Sequence, residues 1–396
     1  MNNKKVAIIT PANLPVPAIK GGAVESLIDN LCDENEKYKK LNIDVYSIYD
    51  REINKDNVRK NTIYKYIQIP KFIKLLDNVT YFFMRKVLGK NNSSFRYFFQ
   101  HIYFIIMVAG KISDSNYDDV VVENYAMMLW CMKLFSNNKK YKNHYYYHMH
   151  NVVTHFFGCK GIFLSCKKIL GVSNYVLNTL PDDVKTSVTC EVLRNGINTA
   201  SFETKLSPQK ISAMREKYSL EDKKIVVFVG RFVPEKGIKE LLEAWGKIDR
   251  RDANLLIVGG TFFKTDVKTG FEEEMYELSK KIGSSVKFTG YVNYKEVPKF
   301  YALADLIVIP SVWNDPAPLT ILESLTAQRP LITTNSGGIP EYLNGNGIIV
   351  QRDSHLVDNL AKAISNVLDN KVKVPLKNSE GIDIEDYYKR FIRCLS

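Results

Sequence analysis

The sequence predicts an α/β protein built as two doubly wound domains with a cleft between them. Strand-length apolar runs alternate with helical patterns along the chain, the signature of parallel sheets with crossover helices. That series runs twice, each time over about half of the 396 residues, a length that is long for one hydrophobic core. A stretch of polar, charged sequence at 199–222, read as a linker with a short helix, separates the two series.

In the first half, residues 6–10 read as a strand. Lys20-Gly21-Gly22-Ala23-Val24-Glu25 then opens a helix, where Gly21 and Gly22 let backbone approach a ligand and the helix N-terminus suits an anion. An ordinary strand-to-helix turn reads the same way. Further strands are expected at 44–48, 119–123, 143–148, 168–172 and 189–193. The 143–148 strand runs into His148-Met149-His150. The carboxyl ends of strands are where open α/β sheets bind ligands, so a histidine there is placed for function; the alternative is a surface histidine.

The second half has expected strands at 224–229, 255–260, 286–289, 306–309 and 331–334. Helices are expected from 238 and at 272–282, 295–304, 357–368 and 384–395. The stretch 310–341 organises this half. A Pro-rich turn follows the 306–309 strand, and Leu319 opens a helix with apolar residues at Leu319, Leu322 and Leu325. Asp315 and Glu323 put two carboxylates beside that helix N-terminus, whose free N–H groups and dipole favour phosphate. Carboxylates next to a phosphate site make sense as acceptors from hydroxyls, and a nucleotide sugar carries both groups.

Composition narrows the class. The chain is 45% hydrophobic and 25% charged, a globular balance. Six cysteines (Cys32, Cys131, Cys159, Cys166, Cys190 and Cys394) form no C-x-x-C pair, which argues against a zinc site or a disulfide framework and fits a reducing cytosol. The first ten residues read as a strand and not a signal peptide, and no run reaches the ~18 apolar residues of a membrane span. Net charge is +12, and residues 51–112 hold twelve Lys/Arg against three Asp/Glu, which leaves +9 there. Aromatics interleave with that charge over 63–112, where helical stretches are expected. The pattern reads as a surface for anionic lipid, as a core-packed helix with a solvated basic face, or as a nucleic-acid surface. Nucleic acid ranks last, because no nucleic-acid module accompanies the charge.

Several motifs now combine. Val229-Gly230-Arg231 through Glu235-Lys236-Gly237, Phe288-Thr289-Gly290, Tyr301-Ala302-Leu303-Ala304-Asp305, Pro310-Ser311 and Asn335-Ser336-Gly337-Gly338-Ile339-Pro340-Glu341 occur in this order, after Val192-Leu193-Arg194-Asn195-Gly196-Ile197-Asn198. In these segments the chain resembles the family 4 retaining glycosyltransferases (glycosyltransferase group 1), which have the GT-B fold of two Rossmann-like domains facing each other across a cleft. The resemblance implies an acceptor-binding domain at 1–203, a donor-binding domain at 204–375 and a C-terminal helix at 376–396 packing back towards the first domain.

It also implies roles. Arg231 and Lys236 grip the donor diphosphate and offset charge on the leaving group. Asp315 stands where the first Glu of an E-x7-E motif is usual and contacts hydroxyls of the transferred sugar; Glu323 matches the second and binds ribose. Leu319 and Thr320 offer backbone N–H groups to phosphate, Gly21 and Gly22 approach from the facing domain, and His150 lies near the anomeric carbon. Ordinary structural readings remain for each: surface cations after a strand, a turn-forming Asp315, a solvated Glu323. Three departures from the family pattern stand out: Asp at 315, Ala317-Pro318 where Phe-Gly is usual, and Ser324 where Ala is common.

The implied reaction is a retaining transfer of a hexose or N-acetylhexosamine from a nucleotide-diphosphate sugar, UDP favoured. No cofactor and no metal take part, and the sequence has no D-x-D triplet. The acceptor is a glycan or lipid-linked glycan of cell-surface polysaccharide synthesis. Residues 63–112 would meet an anionic membrane surface, with the protein cytoplasmic and peripheral at the inner face of the plasma membrane. A non-catalytic nucleotide-sugar-binding coat-type protein and a nucleotide-sugar epimerase are the competing readings. A dinucleotide oxidoreductase lacks the G-x-G-x-x-G it would need after the first strand.

Overall fold

The computed structural model describes residues 3–54, 58–87, 97–248, 250–260, 270–377 and 380–396. It divides the chain into two units, Met1–Arg194 with Ile384–Ser396, and Asn195–Asp383.

The first unit is built on a sheet of seven strands: β1 (Lys4–Ile9), β2 (Leu41–Ile48), β3 (Thr62–Ile67), β4 (Asp119–Glu123), β5 (Tyr145–Met149), β6 (Lys168–Gly171) and β7 (Thr189–Val192). Their order is β3-β2-β1-β4-β5-β6-β7, and every pairing is parallel. Val6 to Ile9 and Val120 to Val122 are buried, as both faces of a parallel sheet require. The helix Ala23–Tyr38 packs Leu27 and Leu31 on one face, beside Tyr387, Tyr388 and Phe391 of the final helix, Ile384–Cys394. The Tyr388 hydroxyl donates to Asn35 Oδ1 at 2.8 Å, and the Tyr146 hydroxyl to the Leu395 carbonyl at 3.2 Å, so the chain's last helix belongs to this unit.

The second unit has a sheet of six strands: β8 (Lys224–Val229), β9 (Ala253–Val258), β10 (Val286–Phe288), β11 (Leu306–Ile309), β12 (Leu331–Thr334) and β13 (Ile348–Val350). The order is β10-β9-β8-β11-β12-β13, again parallel throughout. One apolar layer packs the helices Ile238–Gly246 and Leu356–Leu368 on the sheet. The other packs Val297–Leu303 and Leu319–Thr326.

The division falls after Arg194, where the sequence reading placed it after 203, and the return to the first unit falls at Ile384, where it was placed at 376. The cause is local. Ile197 N–H donates to the Ile382 carbonyl at 2.9 Å, and Phe202 is buried in the second unit's core. The segment 63–112 contains the expected helical stretches and also a strand the sequence reading does not foresee. It begins in β3, an edge strand whose Ile63 is exposed and whose Thr62 and Ile67 are buried; two helices follow, Lys71–Val87 and Phe98–Ser113. Residues 88–96, with Arg96, lie outside the described residues, as do the side chains of Arg85 and Lys86.

In each sheet the strand order reverses at one place, between β1 and β4 and between β8 and β11. The loops leaving those strands diverge there and open a crevice at the carboxyl edge. In the second unit the loop after β8 and the loop after β11 touch through Gly237, which has φ of 70° and whose absent Cβ would collide with the Pro310 carbonyl oxygen. Gly237→Ala is expected to cost about 2 kcal/mol or more, combining a left-handed backbone with that collision. Gly270→Ala, at an open site, is expected to be close to neutral. Thermal melting of both variants checks the contrast.

Candidate active site

Lys236 sits in a single 3-10 turn, Pro234–Lys236, just ahead of Gly237. The Glu235 carbonyl accepts from Val312 N–H at 3.1 Å and Trp313 N–H at 3.3 Å, which fastens this turn to the loop after β11. Asp315 is held from the other side: its carbonyl accepts from Gly338 N–H at 2.9 Å, and a side chain at Gly337 would strike that same carbonyl. Clamped so, Lys236 Nζ donates to Asp315 Oδ2 at 2.6 Å, and both side chains are mostly buried.

Glu323 lies one turn into the helix Leu319–Thr326 and is buried. Its Oε1 accepts from the Tyr294 hydroxyl at 2.9 Å and its Oε2 from the Tyr301 hydroxyl at 2.7 Å. Burial raises its pKa, and the two phenols and the Lys236 charge pull it back down. Both tyrosines are pushed up by burial and then by the adjacent carboxylate, so they remain donors. Lys236, Asp315 and Glu323 thus share one neighbourhood. Leu319 and Thr320 open the helix, and its first N–H groups have no intrahelical acceptor. Ser324, one of the departures, donates to the Thr320 carbonyl at 2.7 Å and contacts the Tyr301 hydroxyl, so its hydroxyl ties the helix start to the Glu323 cluster. Arg231 is exposed at the start of the loop after β8, and no hydrogen bond or ion pair joins its side chain to another described residue.

The first unit's crevice is different in kind. Glu123 ends β4 and pairs in register with His148 of β5. Glu123 Oε2 lies 2.8 Å from His150 Nε2 and 2.9 Å from His148 Nδ1, with all three residues buried. The imidazoles hold Glu123 well below the usual range, at about 2, against the cost of burying it. Burial and the neighbouring His148 take His150 down to about 4, so it is neutral at pH 7. This trio has the residue types of a zinc site, and its ligand atoms lie within 4.8 Å of one another. The His150 separation is that of a hydrogen bond, and the His148 contact is an ion pair by distance whose Nδ1 lacks hydrogen-bond geometry; two ligands of one tetrahedral zinc stand about 3.3 Å apart, from bonds of about 2.0 Å.

Gly22 has φ of 101°, and its absent Cβ would overlap Oε2 of Glu25. The carboxylate of Glu25 therefore lies over the N-terminus of the helix Ala23–Tyr38, bonded to its own backbone N–H, where an arriving anion would have to sit. Burial raises Glu25 to about 7, and the charge of Glu123 adds to the rise. Tyr294, Tyr301, Glu123 and Glu25 were assigned no part by the sequence reading. The acid that ends β4 after the apolar run Val120–Val122 is the one signal that marks Glu123.

Two parallel α/β sheets, each with its polar cluster at the point where strand order reverses, have the architecture of the GT-B fold. HepE from Anabaena, solved in complex with UDP, matches 99% of this chain and 99% of its own with a TM-score of 0.68 at 15% identity. Residues 210–381 match the family described as glycosyl transferases group 1. YtcC of Bacillus subtilis, which carries a provisional glycosyltransferase name, is 26% identical over 86% of this chain and 77% of its own. A GDP-mannose-dependent phosphatidylinositol monomannoside mannosyltransferase of Mycobacterium tuberculosis is 30% identical over 53% of this chain and 54% of its own.

The Glu25 carboxyl gives a pH signature. Its folded pKa of about 7 lies above the ordinary 4.5, so the native state keeps a proton that the unfolded chain releases, and stability is lost as pH rises through that window. Glu25→Gln cannot ionise. It should gain stability over the parent above pH 7, by up to roughly 3 kcal/mol, and show no gain below about 4.5. Melting curves across pH check the crossover.

Proposed function

We propose that this chain is a family 4 retaining glycosyltransferase. It would move a hexose or N-acetylhexosamine from a UDP-sugar to a glycan or lipid-linked acceptor in cell-surface polysaccharide synthesis. The observation that carries the reading is the Lys236–Asp315 pair, set beside the Glu323 helix where the second sheet reverses. It supplies a cation for a diphosphate, free N–H groups for its oxygens and buried carboxylates for hydroxyls. HepE's complexes with UDP and UDP-glucose support a nucleotide-sugar donor. The mycobacterial relative is named for GDP-mannose, so the donor screen carries both UDP- and GDP-sugars.

In this proposal the diphosphate takes Lys236 and the exposed Arg231, with Leu319 and Thr320 N–H groups on its oxygens. Asp315, released from Lys236, accepts from hydroxyls of the sugar, and Glu323 accepts from the ribose. The nucleotide diphosphate leaves from the face that the acceptor enters, and its own oxygen takes the acceptor's proton. Configuration is kept, and the two cations hold the charge of the departing group without a metal bridge. His150, neutral and held by Glu123, hydrogen-bonds the transferred sugar and is not a nucleophile; Gly21 leaves its backbone open to the donor, and Glu25 must swing away for Gly22 to do the same. The protein would work in the cytoplasm against an anionic membrane surface that carries the acceptor.

Nucleotide sugars screened by thermal shift should give one that stabilises the protein by mass action. With that donor, Lys236→Ala and Glu323→Ala should each cut transfer at least roughly a hundredfold, by loss of one charge-stabilising or binding contact. Glu323→Ala also strands two phenols, so its melting curve is measured alongside. Near-normal turnover in both variants would overturn the site.

A further inference from the structure

We infer that the helix Lys71–Val87, with the helix Phe98–Ser113 packed against it, is a docking face for an anionic phospholipid surface. The first helix is turned inside out relative to an ordinary surface helix. Its Phe72, Leu75, Leu76, Val79, Phe82 and Phe83 recur at helical spacing on one side, and all are exposed, between 44% and 63%. Its single acidic residue points the other way: Asp77 is buried and accepts from Phe99 N–H at 2.8 Å and Gln100 N–H at 3.0 Å, capping the second helix. The second helix buries Phe104, Ile105, Val108 and Ile112 in the unit and leaves Phe98, Ile102, Ile106 and Met107 exposed.

An apolar row of this length on a soluble surface marks an interaction site. Charge identifies the occupant. Lys71 and Lys74 are exposed along one flank of the row, and Asp77, the helix's only acid, is turned inward. Residues 51–112 carry twelve cations against three anions. Apolar side chains flanked by lysines suit a helix lying in the headgroup region, with the row among the acyl chains and the lysines at the phosphates. A second copy of this chain would bring the same lysines against each other. The orientation also disposes of the packed-helix reading, since the apolar side is the one facing outward, and the face offers no basic groove lined for nucleic acid.

The test is co-sedimentation of the full chain with vesicles of phosphatidylcholine alone and of phosphatidylcholine with phosphatidylglycerol. Pelleting should require the anionic lipid and weaken with salt. Lys71→Glu/Lys74→Glu should reduce binding about tenfold or more, and Leu75→Asp/Phe82→Asp should reduce it at least as far. Melting curves and donor-induced thermal shift should stay as in the parent for both variants, since neither touches the donor site; this separates failure here from failure of the transferase reading. Binding indifferent to anionic lipid, or unchanged in the Leu75/Phe82 variant, would overturn the inference. So would sedimentation equilibrium showing a dimer that the same variant dissociates.

Discussion

Two backbone carbonyls, those of Pro310 and Asp315, set the geometry on which the second unit's polar cluster depends. Each is pressed from outside by a glycine, Gly237 on the first and Gly337 on the second, and the Gly338 N–H bonds the second as well. Close approach of this kind leaves no room for a Cβ, so the two loops and the turn after β12 are packed backbone to backbone. Lys236 is therefore delivered to Asp315 by backbone packing and not by side-chain search. The consequence is electrostatic. A lysine and a single carboxylate, mostly withdrawn from water, make a resting partnership that a more highly charged diphosphate could displace, because the attraction grows with ligand charge in a poorly screened site.

The same topology yields an opposite site in the first unit. Its reversal point gathers Glu25, Glu123, His148 and His150, where the second unit gathers Lys236 and helix N–H groups. The strand order decides where a crevice opens; the residues at strand ends decide what it holds. Glu25 covering its own helix start makes the first crevice a poor phosphate seat, and His150 stands there neutral and anchored by Glu123.

Much of this was legible because buried parallel strands write themselves as short apolar runs. Residues 119–123, 224–229, 306–309 and 331–334 fall on β4, β8, β11 and β12 with the same bounds. The strands that escaped, β3 and β13, stand at sheet edges, with one side open and exposed residues at Ile63 and Ile349. Lys236, Asp315 and Glu323 could be picked out because motif spacing carries them. Their partners could not. Tyr294 and Tyr301 reach Glu323 from other elements, and Glu123 meets the histidines only through strand register, which no local pattern encodes. Likewise the 63–112 segment announced its amphipathicity but not which side faced out; that was decided by Asp77, whose two backbone bonds fix the helix's rotation.

Glu323 shows how a site can be both finished and available. Its two oxygens are satisfied by phenols of unequal standing: Tyr301 is wholly buried, while Tyr294 is 48% exposed on a short 3-10 turn. Leaving a buried carboxylate oxygen without a donor costs more than the bond itself gains, so neither phenol departs unless another hydroxyl takes its place. The inner one has no route for replacement. The outer one does, being open to solvent. Tyr301 is then the fixed anchor that keeps the carboxylate aimed, and Tyr294 the exchangeable donor at the remaining position.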